Sequence, residues 1–191
     1  MQSTQDYSLH LAEVASAALA LSERLHEIEA WSAEILAVVS AGGRVLIVGN
    51  GGCCSLADHF VAELAGSYRR GSPTIDAINL QASAAALTAV SNDIEFTAAA
   101  SRAIAAHGRP GDLLICLSTS GHSENILAAV HEAKRNSIRT FALIGRPVYP
   151  LINMVDRAFS VEVDDVAMVQ ELQLIVLHAI CQVVYSTRSP S

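Results

Sequence analysis

The sequence predicts an α/β fold, a three-layer α/β/α sandwich built around a parallel sheet. Short apolar runs rich in β-branched residues alternate with segments of helical periodicity. Such alternation is typical of right-handed βαβ units, whose crossover helices cover both faces of the sheet. The length of 191 residues and the hydrophobic content of 51% suit one domain, residues 1–191, with a single substantial core.

The chain begins with helix and then turns to strand. Over residues 3–41 apolar residues recur at steps of three and four, which predicts amphipathic helix in two segments. Two glycines end this pattern, and the run RVLIVG that follows predicts a buried strand. The runs TIDAINL, DLLICLS and TFALIG predict three more strands, and AFSVEV is a weaker fifth. The predicted sheet region therefore spans residues 44–163.

The last predicted helix covers residues 166–186 and is apolar on nearly every face, which indicates burial. We expect it to pack on its own sheet and on neighbouring subunits. Gln170 and His178 interrupt this apolar surface, so they either satisfy each other and the backbone or face a polar pocket. The final residues, STRSPS, are expected to be disordered.

Composition excludes several classes of function. A net charge of -7 argues against a nucleic-acid partner, which requires a concentrated positive field. The N-terminus lacks a basic segment before an apolar one, and no 18 apolar residues run without a polar break, so we expect a cytoplasmic protein without a membrane partner. The four cysteines form no CxxC pair, which predicts reduced thiols rather than a disulfide framework or a thiolate zinc site.

The ends of the predicted strands carry two candidate ligand loops, where ligands of open parallel sheets bind. GNGG, residues 49–52, follows the first strand and precedes a helix, but it lacks the later glycine of a dinucleotide fingerprint and the GK[ST] of a P-loop. It fits a tight turn as well as a ligand loop. STSGHS, residues 118–123, places four hydroxyls beside free helix N-terminal amides, which suits a phosphate monoester. Helix capping requires only one such hydroxyl, so the phosphate interpretation is favoured.

Two helices carry candidates for chemistry. His59 and Glu63 are four residues apart and share one helical face, although an exposed ion pair has the same spacing. His178 on the apolar helix is equally consistent with a satisfied core histidine. With the carboxamide of Gln170, these groups suit a zinc site or an acid–base pair, and spacing does not choose between them.

The sequence resembles the phosphoheptose isomerases of the sugar isomerase (SIS) domain superfamily. The resemblance rests on four segments: GNGG followed by DHFVAEL, VSND at residues 90–93, STSGHS, and Gln170-Glu171 followed by His178. The resemblance extends from the N-terminal helices to Val184. It implies a single SIS domain with a flavodoxin-like sheet of five parallel strands, and a homotetramer whose active sites are shared between subunits. It also implies the enediol conversion of D-sedoheptulose 7-phosphate to D-glycero-D-manno-heptose 7-phosphate, the first step of nucleotide-activated heptose biosynthesis.

The same resemblance implies roles for individual residues. Glu63 and His178 would be the catalytic acid–base pair. One Zn2+ per subunit would be held by His59, Glu63, Gln170 and His178. The implied substrate-binding residues are Asn50, Gly51, Gly52, Cys53, Asp93, Ser118, Thr119, Ser120, Ser123 and Gln170. Because a metal ligand does not freely exchange protons, the metal and acid–base roles compete at two of these positions, and both assignments remain open.

Three positions depart from the family pattern. Cys53 stands where the family usually has serine, Ser67 where it has arginine, and Ala167 where it has an acidic residue. These departures alter expected substrate contacts more than the acid–base set. A non-catalytic SIS tetramer that binds a partner protein, as the replication-initiator-associating proteins do, is the alternative function, and a phosphosugar sensor domain is a third. Retention of the four proposed zinc ligands favours the enzyme.

Overall fold

The computed structural model describes residues 2–70, 72–146 and 150–188, with the side chains of residues 2–6 and 188 excepted. The helices within these ranges are α1 Gln2–Ala20, α2 Leu25–Ser40, α3 Gly52–Val61, α4 Ala84–Asp93, α5 Ala99–His107, α6 Glu124–Arg135, α7 Leu151–Met154 and α8 Val166–Arg188. The strands are β1 Val45–Gly49, β2 Ala77–Asn79, β3 Leu113–Ser118, β4 Arg139–Ile144 and β5 Arg157–Ser160.

The five strands form one parallel sheet in the order β2-β1-β3-β4-β5. This confirms the predicted α/β fold with a five-stranded flavodoxin-like sheet, including the weaker fifth strand. The strand order changes direction between β1 and β3, whose residues Gly49 and Leu117 are paired. Such a switch point opens a crevice at the carboxyl edge of the sheet. GNGG and STSGHS follow these two strands, so both candidate loops begin at the crevice.

Each face of the sheet supports its own hydrophobic core. Every residue of β1 and β3 is buried, as expected for parallel strands covered by helices on both sides. Helices α2, α3 and α8 pack over the face that carries Val45, Ile47, Leu113, Ile115, Phe141 and Leu143. Helices α5, α6 and α7 cover the other face, which carries Leu46, Val48, Leu114, Cys116, Ala142 and Ile144.

Helix α8 is the longest apolar segment of the described chain. Residues 166–187 are long and apolar enough to cross a membrane by length and composition alone, with a mean hydropathy of 1.6. A helix buried in a domain core meets the same criteria, and α8 places Leu172, Leu177, Ile180 and Val184 against the sheet with no exposed surface. The expectation of disorder from residue 186 was wrong for residues 186–188, which continue the helix. Residues 189–191 lie outside the described part of the chain.

The predicted N-terminal helices form as α1 and α2, joined by one 3₁₀ turn at Leu21–Arg24. Trp31 and Ile35 of α2 are buried against the sheet. Leu11 and Leu25 belong to the same periodic pattern, yet they are 52% and 51% exposed. The apolar stripe that indicated helix is therefore only partly buried within one chain.

Candidate active site

Helices α3 and α8 lie side by side and run in the same direction. At the start of α3, a Cβ atom on Gly52 would lie 2.7 Å from Nε2 of Gln170. Two turns further along, Nε2 of His59 lies 2.8 Å from Nε2 of His178. These contacts bring the helix behind the GNGG loop against the helix that carries the predicted polar stripe.

Three predicted functional side chains meet between these helices. The Nε2 atom of His59 lies 3.7 Å from a carboxylate oxygen of Glu63, one turn along the same chain segment. The nearest ligand atoms of His59, Glu63 and His178 all lie within 4.8 Å of one another. The side chains of His59 and Glu63 are 40% and 21% exposed, so solvent and small ligands reach them. We call these three residues the His–Glu–His cluster.

Glu63 lies in a π-helical turn, Ala62–Ser67, that follows α3 directly. Such turns are rare, shift the backbone hydrogen-bond pattern by one residue and occur often at functional sites. The hydroxyl of Tyr185 on α8 lies 3.0 Å from the carbonyl oxygen of Glu63 and 2.8 Å from that of Leu64. The main-chain N–H of Ile75 also donates to the Leu64 carbonyl, at 2.9 Å. Tyr185 therefore fixes the turn that carries the catalytic candidate, and no feature of the sequence indicated this role.

Gln170 lies with the glycine loop rather than with the cluster. Its amide contacts the position of Gly52, where any side chain would overlap it. Gln170 precedes His178 by eight residues of α8, a rise of about 12 Å along the helix axis. Within one chain, the structure thus brings three of the four proposed zinc ligands together and places the fourth near the start of α3.

The hydroxyls of the STSGHS segment, residues 118–123, are not used for helix capping. Ser118 Oγ accepts from the N–H of Gly121 at 3.0 Å, and Ser120 Oγ accepts from the N–H of His122 at 3.3 Å. Ser123 occupies the N-cap position of α6, yet among the described contacts its side chain makes no capping hydrogen bond. The capping alternative therefore does not explain the hydroxyl cluster. We call residues 118–123 the phosphate loop.

A reciprocal amide pair joins the two candidate loops. Asn50 Nδ2 donates to Asn125 Oδ1 and Asn125 Nδ2 donates to Asn50 Oδ1, both at 2.8 Å. Asn125 is 2% exposed and lies two residues beyond the phosphate loop. Sequence reasoning missed it, although a polar residue in the first turn of an otherwise apolar helix face was an available signal. The pair holds the glycine loop and the phosphate loop at one edge of the sheet.

Cys53 directs its thiol into the protein. The thiol donates to Oε1 of Gln173 at 3.5 Å, and the residue is only 3% exposed. Burial raises the pKa of the Cys53 thiol to about 11, Cys54 adds to this effect, and a hydrogen bond from the main chain of Thr119 opposes it. The thiol is therefore protonated at neutral pH and belongs to the packing beneath the phosphate loop.

The sequence also singled out Asp93, as a substrate-binding residue, and Ser67, as a departure from the family pattern. Asp93 is exposed at the end of α4 and accepts a hydrogen bond from the neighbouring Asn92 at 2.8 Å. Among the described residues, no hydrogen bond or ion pair joins Asp93 to the His–Glu–His cluster. Ser67, which replaces the usual arginine, donates to the carbonyl oxygen of Arg69, whose guanidinium lies over the ring of Tyr68.

Comparison with known proteins agrees with this geometry. A family model for the SIS domain matches residues 10–145. The phosphoheptose isomerase of Streptomyces coelicolor is 40% identical over 172 residues, which cover 90% of this chain and 74% of that protein. A probable phosphoheptose isomerase of Thermoplasma acidophilum is 33% identical over 94% of this chain and 97% of its own length.

Solved structures give the same result at the level of the fold. The phosphoheptose isomerase of Neisseria gonorrhoeae superposes with a TM-score of 0.89 at 31% identity, covering 96% of this chain and 98% of that one. The enzyme of Francisella tularensis gives a TM-score of 0.91 at 30% identity, covering 97% of this chain and all of that one. Since the SIS-domain model covers residues 10–145 and the Streptomyces coelicolor enzyme is 40% identical over 90% of this chain, the chain belongs to the phosphoheptose isomerase family of SIS-domain proteins.

Proposed function

We propose that the protein converts D-sedoheptulose 7-phosphate to D-glycero-D-manno-heptose 7-phosphate, the first step of nucleotide-activated heptose biosynthesis. One observation carries the proposal. The His–Glu–His cluster lies between α3 and α8, and Gln173 links Cys53 at the start of the same α3 to Ser118 of the phosphate loop. An acid–base group and a phosphate cradle therefore lie along one helix pair.

The spacing along α3 suits an extended sugar phosphate. His59 and Glu63 follow Gly52 by seven and eleven residues, which corresponds to roughly 10 to 16 Å of helix rise. With its phosphate at the phosphate loop, an extended seven-carbon chain places C1 and C2 near the cluster. Binding of the remote phosphate then contributes to catalysis by holding the reacting carbons at the base.

Glu63 and His178 supply the proton transfers that aldose–ketose isomerisation requires. In this proposal the Glu63 carboxylate removes a proton from C1 of the ketose and returns it to C2 of the enediol. His178 moves the second proton between the C2 and C1 oxygens, so that the carbonyl passes from C2 to C1. Positioned general acids and bases of this kind accelerate such steps by about a hundredfold to ten-thousandfold.

The donor atoms of the cluster fit zinc. Two imidazole nitrogens and one carboxylate oxygen form the three-ligand set that catalytic zinc sites use, with a further position left for substrate. Zinc, when bound by His59, Glu63 and His178, supplies Lewis-acid stabilisation of negative charge on a substrate oxygen. Gln170, the fourth ligand that the resemblance implies, lies against Gly52 within one chain, so the zinc set proposed from this geometry is His59, Glu63 and His178. Since ligation and proton transfer compete at Glu63 and His178, zinc content and turnover must be measured separately.

We further propose a cytoplasmic homotetramer. Helix α1 exposes Tyr7, Leu9, Leu11 and Leu19, each at least 52% accessible, and α8 exposes Ile175 at 39%. Exposed apolar surface of this extent marks protein interfaces. With a net charge of -7, we expect neither nucleic acid nor a membrane as partner.

The test is incubation of the zinc-loaded protein with sedoheptulose 7-phosphate in deuterated water, followed by proton NMR. We expect an aldoheptose 7-phosphate that carries deuterium at C2 to the extent that the transferred proton exchanges with solvent. Folded, tetrameric protein that gives no conversion would contradict the proposal. A stable complex with a partner protein in the absence of turnover would support the non-catalytic alternative, which gives the His–Glu–His cluster no role.

A further inference from the structure

We propose that Gln173 of α8 is a positioning residue that holds the phosphate loop in its ligand-binding conformation through hydrogen bonds to three separate elements. The inference rests on the proposed function of the loop. Among the described contacts, none joins Gln173 to the His–Glu–His cluster. It contacts two of the implied substrate-binding residues, Cys53 and Ser118, so it acts through the groups that it holds.

The side-chain amide of Gln173 is fully buried and uses both of its polar atoms. Its Nε2 donates to the carbonyl oxygen of Leu143 at 2.9 Å and to that of Ser118 at 3.3 Å. Its Oε1 accepts from the thiol of Cys53 at 3.5 Å. These partners belong to β4, to the last residue of β3 and to the first turn of α3. One side chain therefore joins the elements that form the crevice.

The contact with Ser118 places this junction at the start of the phosphate loop. β3 ends at Ser118, so its carbonyl stands where the regular pairing of the strand gives way to the loop. A buried carbonyl without a partner is strongly disfavoured, which makes the amide of Gln173 the group that fixes where the loop begins.

The next residue of the loop is held from the other side. The main chain of Thr119 lies close enough to the thiol of Cys53 to lower its pKa, and this thiol donates to Gln173. A Cβ atom on Gly145 would lie 2.6 Å from the carbonyl oxygen of Thr119 and 3.0 Å from the side chain of Val169, so the loop has no room to move toward β4. Gln173 thus connects Cys53 of α3 to Ser118 at the start of the loop by two hydrogen bonds.

The test replaces Gln173 with Met, which keeps the length of the side chain and removes its hydrogen bonds. Isothermal titration calorimetry with inorganic phosphate and with sedoheptulose 7-phosphate measures binding without turnover, and steady-state kinetics separate KM from kcat. We expect Gln173→Met to raise both dissociation constants and KM about tenfold, with a smaller effect on kcat. Zinc stoichiometry should remain unchanged, because the cluster lies further along α8.

Gln182→Met is the matched control, since Gln182 lies on the same helix but is exposed. We expect it to leave phosphate affinity unchanged. If Gln173→Met does not fold, Cys53→Ala removes one bond of the same connection and should weaken phosphate binding in the same direction by a smaller factor.

Two results would overturn the inference. One is unchanged phosphate affinity and KM in folded Gln173→Met protein. The other is an equal loss of kcat and zinc, which would indicate general loosening of the domain. Wild-type protein that binds phosphate but does not isomerise the sugar would contradict only the proposed reaction, whereas wild-type protein that binds no phosphate would remove the basis for the role of Gln173.

Discussion

Nε2 of His59 lies 2.8 Å from Nε2 of His178, although the two residues are 119 positions apart in the chain. At this distance one ring nitrogen donates a hydrogen bond to the other, and the tautomers of the two rings decide which one donates. The carboxylate of Glu63 adjoins the pair. This relationship turns three residues of ambiguous spacing into one site with a defined donor set.

The cluster predicts one zinc ion per chain. We expect His59→Ala and His178→Ala each to weaken zinc binding by about a hundredfold or more, because each removes one of three protein ligands. Zinc content after dialysis, measured by mass spectrometry, checks this. His131→Ala is the control, since His131 is exposed on α6 away from the cluster. Full zinc occupancy in both cluster variants would show that the metal binds elsewhere.

Replacement of Glu63 by Gln should reduce kcat by about a hundredfold to ten-thousandfold, because an amide cannot accept the C1 proton. The circular dichroism spectrum should stay that of the wild type, since Glu63 is partly exposed. Zinc measured on the same sample distinguishes loss of the base from loss of the metal. Turnover near that of the wild type would refute the catalytic assignment.

Tyr185→Phe should lower kcat while leaving KM nearly unchanged, because the lost hydroxyl fixes the π-helical turn that positions Glu63. We expect the free energy of unfolding to fall by about 1 kcal/mol, as for one buried hydrogen bond. Urea denaturation and steady-state kinetics measure the two effects. Tyr68→Phe is the control, because Tyr68 stacks on Tyr185 through its ring. Equal kinetic effects in both variants would argue against the role of the hydroxyl.

Gly52→Ala should raise KM more than it lowers kcat. The added methyl group would overlap the amide of Gln170 and displace this proposed substrate-binding residue at the start of α3. Gly66→Ala is the matched control, because a Cβ atom on Gly66 has open space around it. Steady-state kinetics on both variants check the expectation. An unchanged KM in Gly52→Ala would mean that Gln170 does not contact substrate.

The buried thiols predict a loss of stability in alkaline solution. Burial raises the pKa of Cys53 to about 11, and burial together with the charge of Glu63 raises that of Cys181 to about 12, against an ordinary value of 9.0. Above pH 9 the unfolded chain releases these protons first, so the free energy of unfolding falls with rising pH by at most about 1.4 kcal/mol per pH unit for each thiol. Urea denaturation between pH 9.0 and about pH 11, the interval between the ordinary pKa of a thiol and the raised pKa of Cys53, measures the slope.

The control for this prediction is Cys53→Ser, which replaces a group that ionises in the unfolded chain with one that does not. Its stability should decline less steeply with pH than that of the wild type. Identical slopes in the two proteins would contradict the assignment of the alkaline transition to Cys53.

Much of this fold was predictable from the sequence because its signals are local. Five apolar runs marked five strands, and the steps of three and four around Ile28 and Trp31 marked a helix that does pack on the sheet. The ligand-binding role of the two loops was also predictable, since glycines and hydroxyls at strand ends indicate a ligand site whichever way the helices pack. Two expectations differed: residues 186–188 continue α8, and Leu11 of the apolar stripe in α1 is 52% exposed within one chain.

By itself, the sequence determined the order of helices and strands, the two loops at the carboxyl edge of the sheet and the identity of the candidate acid–base groups. The tertiary structure decided which of these groups meet. His59 contacts His178 while Gln170 contacts Gly52, because α3 and α8 run parallel and in one particular register. The supporting roles of Tyr185, Gln173 and Asn125 depend on contacts between residues far apart in the chain. Such contacts follow from close packing of whole elements, which periodicity along a single segment does not encode.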